Sequence, residues 1–446
     1  MNHCRDIPPS RIPAYCSAAS VLILCNLAQP LAAYDFSALT ELAEGALQGE
    51  NVNQPIPGFE IRLLKDGELV YRQAFGNWSL DRPANADSST KTASGALMMS
   101  LVASGEMGFS LDSRLGDFLP EYDSPELGDI TIRQSFSHTS GIEGEDAASL
   151  ILLNPFITLR QAAQHISQEP LTHGPPGSTF AYGGLSMQAA GAAAEVATGK
   201  RYIDLFSERI AVPLEMADTR FVTASDANPR VAGGIESTAT DYARFMDMLL
   251  NQGVDRSTGT RILTVDSVEE MLRRQTTDEQ PIANSPTDNN RYGIGVWVNQ
   301  LGQAGPEVDA LAGGARGFHS WIDTSAGLVF TFATDLTTFS NVEVLSSNMH
   351  REIMRVVSPP GDYDGDGDVD EEDYLEWRQG FGSIVAPFGL ADGNGDGVVD
   401  GADYIVWRDN FGISTLASAT AVPEPASPVV LLVVTVAVLF SRRRVL

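Results

Sequence analysis

Cysteine is nearly missing from this chain. The three present, Cys4, Cys16 and Cys25, all lie in the first 25 residues, beside Arg5, Arg11 and the short apolar run Val21-Leu22-Ile23-Leu24. No Cys/His cluster and no His-Glu-x-x-His occurs, which argues against a zinc hydrolase. No Gly-x-Ser-x-Gly occurs either, which argues against the strand-to-helix nucleophile turn of α/β-hydrolases. Basic residues are scarce: 29 Lys and Arg stand against 58 Asp and Glu, a net charge of −29. A surface so acidic repels a phosphate backbone, so nucleic acid is excluded as a partner. The apolar run at 429–440 is shorter than the span of about twenty residues that an ordinary transmembrane helix needs.

What is present divides the chain into four parts. Basic residues, the short apolar run and the small pair Ala32-Ala33 have the layout of a secretory signal peptide over 1–33. Cleavage there leaves a mature protein without cysteine, hence without disulfides despite export. Residues 34–357 read as one globular unit of mixed α and β pattern. Two runs separated by Asp66-Gly67 predict a β-hairpin, because Asp-Gly tolerates the positive φ of a tight turn. Helical patterns follow at 92–105, 186–198, 239–251 and 266–274, then strand-like runs at 292–299, 317–323 and 327–334, and a last amphipathic helix at 341–356. This order predicts an α/β unit in which an antiparallel sheet is assembled from both ends, flanked by helices and a helical subdomain. After Pro359-Pro360-Gly361 a repeat with a period of thirty residues fills 361–412, and 413–446 carries a Pro-rich joint, the apolar run and Arg442-Arg443-Arg444.

The candidate nucleophile is Ser88, in Ser88-Ser-Thr-Lys91 at the start of the first helical pattern. Residues three apart share a helix face, so the Ser88 hydroxyl and the Lys91 amine can meet. Free N–H groups and the positive dipole end of a first turn favour negative charge developing beside Ser88. A partly desolvated lysine falls in pKa and can accept the serine proton. On its own, Ser-x-x-Lys is a weak signal, far better explained by a helix-capping serine and a surface lysine.

The surrounding blocks remove that ambiguity. Leu101-Val-Ala-Ser-Gly-Glu106, Leu111-Asp-Ser-Arg-Leu-Gly-Asp-Phe-Leu-Pro-Glu121, Ile130-Thr-Ile-Arg-Gln-Ser-Phe-Ser-His-Thr-Ser-Gly-Ile142, the stretch from Gly233 to Phe245, and Tyr292-Gly-Ile-Gly-Val-Trp297 follow in order. Together they resemble the serine β-lactamase and D-alanyl-D-alanine carboxypeptidase superfamily, most closely its class C and esterase-like branch. The resemblance implies a penicillin-binding-like serine hydrolase that uses no catalytic cofactor. It assigns Tyr182, in Phe180-Ala-Tyr-Gly-Gly184, to proton relay with Lys91. It assigns the oxyanion hole to the backbone N–H groups of Ser88 and Ala315. Two departures stand out. Gly184 occupies the place of an asparagine that helps hold the lysine and bind a substrate amide. In Ala312-Gly313-Gly314, a substrate-binding strand by resemblance, Ala312 occupies the place of a lysine or histidine. Arg316 and His319 are candidates to replace that charge, although an exposed or strand-packing role is the more ordinary reading of each. His138 reads as a turn-shaping residue, and His165 and His173 as surface or loop histidines. With a carboxylate anchor and an amide-binding group both missing, the expected activity shifts from β-lactam or D-alanyl peptide bonds towards esters. The rival reading is a catalytically silent protein that binds cell-wall peptide or glycan.

In the tail, Asp362, Asp364, Asp366, Asp370 and Asp373 stand at positions one, three, five, nine and twelve of an EF-hand-like loop, with Gly367 at six. Asp392, Asn394, Asp396, Asp400 and Asp403 repeat them, and position seven, Asp368 and Val398, belongs to each ligand set. Aspartate at position twelve resembles dockerin-type repeats, which implies bound calcium, folding that depends on it, and a cohesin-like protein partner; a stand-alone calcium-stiffened spacer is the rival. The end, with Val422-Pro-Glu-Pro425, the apolar run and three arginines, resembles a PEP-CTERM sorting signal. This implies contact with the membrane before processing and a place at the cell surface, the outer membrane or outside the cell.

Overall fold

The computed structural model describes residues 34–142, 149–298, 301, 306, 308–385 and 388–414. The expected signal peptide at 1–33 and the sorting segment beyond 414 lie outside the described residues. No helix among the described residues is long and apolar enough to cross a membrane.

Asp66 and Gly67 both adopt positive φ, 53° and 83°, and join the strand Gly58–Lys65 to the antiparallel strand Glu68–Gly76. That hairpin forms one edge of a five-stranded antiparallel sheet. Next to it lies Leu328–Ala333, then His319–Asp323, then Ala310–Gly313. The first and last strands of the unit therefore pair directly, Ile61 opposite Phe332, so the sheet is closed from both ends of the sequence. Leu328–Ala333 is buried along its whole length, as expected of a strand covered on both faces. Residues two apart in a strand share a face. Trp321 and Asp323 accordingly both meet the C-terminal helix Glu343–Val357, through Ser346 and His350.

The helical patterns appear as Thr90–Ser104, Leu185–Thr198, Ala239–Leu250 and Val265–Leu272. Thr90–Ser104 is buried from Thr90 to Leu101, the mark of a helix running through the interior rather than along the surface. The strand expected at 292–299 does not form. Among the described residues, isolated bridges alone join Tyr292 to Trp297 and Trp297 to Leu311. Two glycines are the cause. Gly295 turns the chain at φ 76°, and a Cβ there would lie 2.3 Å from the Lys91 carbonyl oxygen. A Cβ on Gly95 would lie 2.2 Å from the Ile294 carbonyl oxygen. The segment is thus pressed backbone to backbone against the Thr90–Ser104 helix and cannot stay extended.

In the tail, Asp370 and Asp400 cap the helices Glu371–Gly380 and Gly401–Asn410. The two copies hold each other reciprocally. Trp377 Nε1 donates to the Asp400 carbonyl at 2.7 Å and Trp407 Nε1 donates to the Asp370 carbonyl at 2.6 Å. Tyr374 packs on Trp407 and Tyr404 on Trp377 with ring centroids 5.3 and 5.2 Å apart.

Candidate active site

Ser88 lies in the 3-10 turn Asp87–Ser89 that runs into the buried helix, so Lys91 is presented one turn further on the same side. Lys91 is 1% exposed, and its Nζ donates to Ser88 Oγ at 3.0 Å and to the Ala232 carbonyl at 3.0 Å. The segment carrying that carbonyl is tied to the same helix: Ser94 Oγ donates to Val231 O and Ile235 N donates to Thr90 Oγ1. Lys91 is therefore held by a main-chain oxygen, and Gly184, where the asparagine was expected, is a buried cap of the Leu185–Thr198 helix outside the cavity wall.

Tyr182 is brought to the pair with Lys91 Nζ 4.5 Å above its ring centroid. Its ring stacks on Trp297 at 5.4 Å and 17°, and its backbone is paired on both sides with Asn284. Among the described residues no hydrogen bond joins its hydroxyl to Ser88 or Lys91. His138 sits against this ring at 4.5 Å with φ 59°, and its Nδ1 accepts the Gly183 N–H at 3.4 Å. Burial holds the imidazole pKa well below its ordinary value, so His138 is neutral and shapes the turn that carries Tyr182.

Ser88, Tyr182, Gly313, Gly314 and Ala315 line one cavity of about 530 Å³. The Gly314 N–H is taken by the Phe318 carbonyl at 2.7 Å. The N–H groups of Ser88 and Ala315 meet no acceptor among the described residues, the state that a receiving oxyanion requires. Gly314 allows this approach, because a Cβ there would lie 2.5 Å from the Ala86 carbonyl oxygen just ahead of the nucleophile.

Ala312 corrects the sequence reading. Its side chain is buried in the core, and its neighbours Leu311 and Gly313 face the cavity instead. Strand alternation makes the choice: a one-residue difference in register moves a side chain to the other face. Arg316 does not face the cavity, since its guanidinium is held by Asp87 and Asp335. His319 does line it, buried, with Nε2 unpartnered, and burial lowers its pKa to about 4, so it carries no charge at neutral pH. His165 is exposed as expected, whereas His173 belongs to the cavity wall.

Sequence reasoning missed Asn284, Trp297 and Glu343 in that wall. Only Trp297 had a signal, its place in the Tyr292–Trp297 block. Burial raises the Glu343 carboxyl pKa, and Asp288 adds to the effect. Among the described lining residues none is Lys or Arg.

In the tail, oxygens of Asp362, Asp364 and Asp373 lie within 4.8 Å of one another. Asp362 accepts the N–H groups of Gly365 and Gly367, and Asp373 those of Asp364 and Asp370. Asp392 and Asp403 repeat this frame with Gly395, Gly397, Asn394 and Asp400. An all-oxygen set at this spacing fits a hard divalent cation.

The Beta-lactamase family model matches residues 38–346. Protein flp of Staphylococcus aureus is 24% identical over 192 residues, covering 41% of this chain and 38% of its own length. Esterase EstB of Burkholderia gladioli is 32% identical over 184 residues, 36% of this chain and 46% of its own length. The chain thus spans less than half the length of these two relatives. A solved structure of a Bacteroides dorei protein superposes with a TM-score of 0.60 at 26% identity, covering 73% of this chain and 99% of that one.

Proposed function

The chain belongs to the beta-lactamase family of serine hydrolases, and from that premise we propose that it is an exported acyl-transferring enzyme that cleaves esters in preference to carboxylate-bearing amides. The observation that carries this reading is the buried Lys91 Nζ held 3.0 Å from Ser88 Oγ. Lys91 Nζ takes the Ser88 proton while Oγ bonds to the substrate carbonyl carbon. The carbonyl electron pair moves onto oxygen, between the N–H groups of Ser88 and Ala315. Collapse of this intermediate breaks the bond to the leaving alcohol, which receives the proton through Lys91 and Tyr182. Water then attacks the acyl-serine by the same route in reverse and releases the acid.

The preference for esters rests on the cavity wall. A substrate carboxylate would meet Leu311 and the Glu343 carboxyl, with Ala312 turned into the core and Arg316 already paired. Like charges brought together cost several kcal/mol. The full chain is therefore expected to turn over a chromogenic short-chain ester with a kcat/KM at least about a hundredfold above that for a chromogenic cephalosporin. Equal values would put the activity back among β-lactamases.

The tail belongs to the same reading. Residues 361–412 form a dockerin-like module in which Asp362, Asp364 and Asp373 would hold calcium, and their counterparts Asp392, Asn394 and Asp403 a second ion. Calcium supplies only charge neutralisation and order there, and none of the catalytic steps uses it. The module would fix the enzyme to a cohesin-like partner, and the PEP-CTERM-like end would direct it to the cell surface. Support for the first comes from the repeat and its spacing, and for the second from Val422-Pro-Glu-Pro425, the apolar run and the three arginines.

A further inference from the structure

The two N–H groups assigned to the oxyanion hole sit on segments more than two hundred residues apart in sequence, yet they must be held in register to a fraction of an ångström. Directly before Ser88 stands Asp87, and directly after Ala315 stands Arg316. Arg316 Nε donates to Asp87 Oδ2 at 2.8 Å and Nη2 donates to Asp87 Oδ1 at 3.0 Å, a two-pronged planar bridge. We propose that Asp87 and Arg316 are positioning residues that clamp the two halves of the oxyanion hole together. This inference rests on Ser88 being the nucleophile.

Three further observations give the clamp its geometry. Asp87 adopts φ 45°, a left-handed backbone conformation that aspartate and asparagine accept more readily than other side chains. Arg316 Nη1 also pairs with Asp335 Oδ1 at 2.9 Å, and Asp335 Oδ2 accepts from Asn85 Nδ2 at 2.7 Å, so a second carboxylate ties the guanidinium to Asn85, two residues before Asp87. On the other side, the carbonyls of Ala315 and Arg316 accept the N–H groups of Ser340 and Leu336 at 3.0 and 3.2 Å. The hole's second donor is thus fixed from both flanks, and its link to the nucleophile runs through one guanidinium. A lysine, which presents a point charge on a flexible stem, cannot reproduce that fork.

The test uses the full chain carrying Arg316→Gln, Arg316→Lys or Asp87→Asn. Asparagine tolerates positive φ, so Asp87→Asn removes the charge while keeping the backbone. Each protein is measured for ester kcat and KM, for inhibition by a simple arylboronic acid whose adduct on serine places an oxygen in the hole, and for its thermal midpoint. Arg316→Gln is expected to lower kcat about tenfold to a hundredfold with KM changed less than about threefold, and to weaken boronic acid inhibition by a similar factor. Arg316→Lys and Asp87→Asn are expected to fall between it and the unaltered protein. A lowered midpoint with kcat and boronic acid affinity unchanged would reduce the bridge to a structural ion pair and overturn the proposal. If the unaltered protein shows neither turnover nor an adduct lost in Ser88→Ala, the hydrolase reading itself fails, and the clamp with it.

Discussion

Replacing Lys91 by methionine is expected to cut ester turnover by at least about a thousandfold, close to the loss from Ser88→Ala. The two groups act as one unit: the serine hydroxyl is a weak nucleophile until a base takes its proton, and Lys91 Nζ is the base within reach at 3.0 Å. Methionine keeps the length and fills the buried space, but leaves the Ala232 carbonyl without the donor it has now. A moderate loss of stability is therefore expected alongside the kinetic one, about 1–3 kcal/mol for an unpaired buried acceptor. Steady-state kinetics beside thermal melting separates the two. The account requires kcat to collapse in protein that is still folded at the assay temperature. Turnover within about tenfold of the unaltered enzyme would remove Lys91 from the mechanism.

Chelating calcium is expected to unfold the tail while the hydrolase unit stays folded. Burial and the neighbouring carboxylates push Asp362 up to about 7 and Asp364 up to about 6, the signature of acidic groups held together without a countercharge. The helices Glu371–Gly380 and Gly401–Asn410 are joined through Tyr374, Trp377, Tyr404 and Trp407, so the indole rings report on whether the pair is held together. Their tryptophan fluorescence and the far-ultraviolet circular dichroism of the full chain should change on adding a chelator and recover with calcium, in a melting transition separate from that of the larger unit. Two melting curves that superpose with and without calcium would make the module an acidic spacer.

Legibility in the sequence followed the range of the interactions. The hairpin at Asp66-Gly67 and the pairing Lys91–Ser88 are local, set by turn chemistry and helical spacing, and both stand where the sequence put them. The closing of the sheet from both ends was readable from the order of patterns. The failure at 292–299 came from a long-range fact: Gly295 looks like a weak strand residue until the helix backbone at Lys91 and Gly95 is brought against it. Ala312 was misplaced because a strand's two faces differ by one residue, and a motif with its charged member missing gives no anchor for register. Arg316 is the sharpest case. In sequence it is a cation beside a substrate strand; in space Asp87, a residue 229 positions away, consumes its charge. Asn284, His173 and Glu343 reach the cavity from three separate segments, and no local pattern points to them.

The central claim is that Ser88 forms an acyl-enzyme, and intact-protein mass spectrometry of the full chain, quenched in acid during ester turnover, tests it most directly. The account predicts a mass increase equal to the acyl group, located on the peptide containing Ser88 and missing in Ser88→Ala. No such adduct, with no Ser88-dependent turnover of either ester or cephalosporin, would contradict it and leave a protein that keeps the fold to bind cell-wall peptide or glycan without cleaving it.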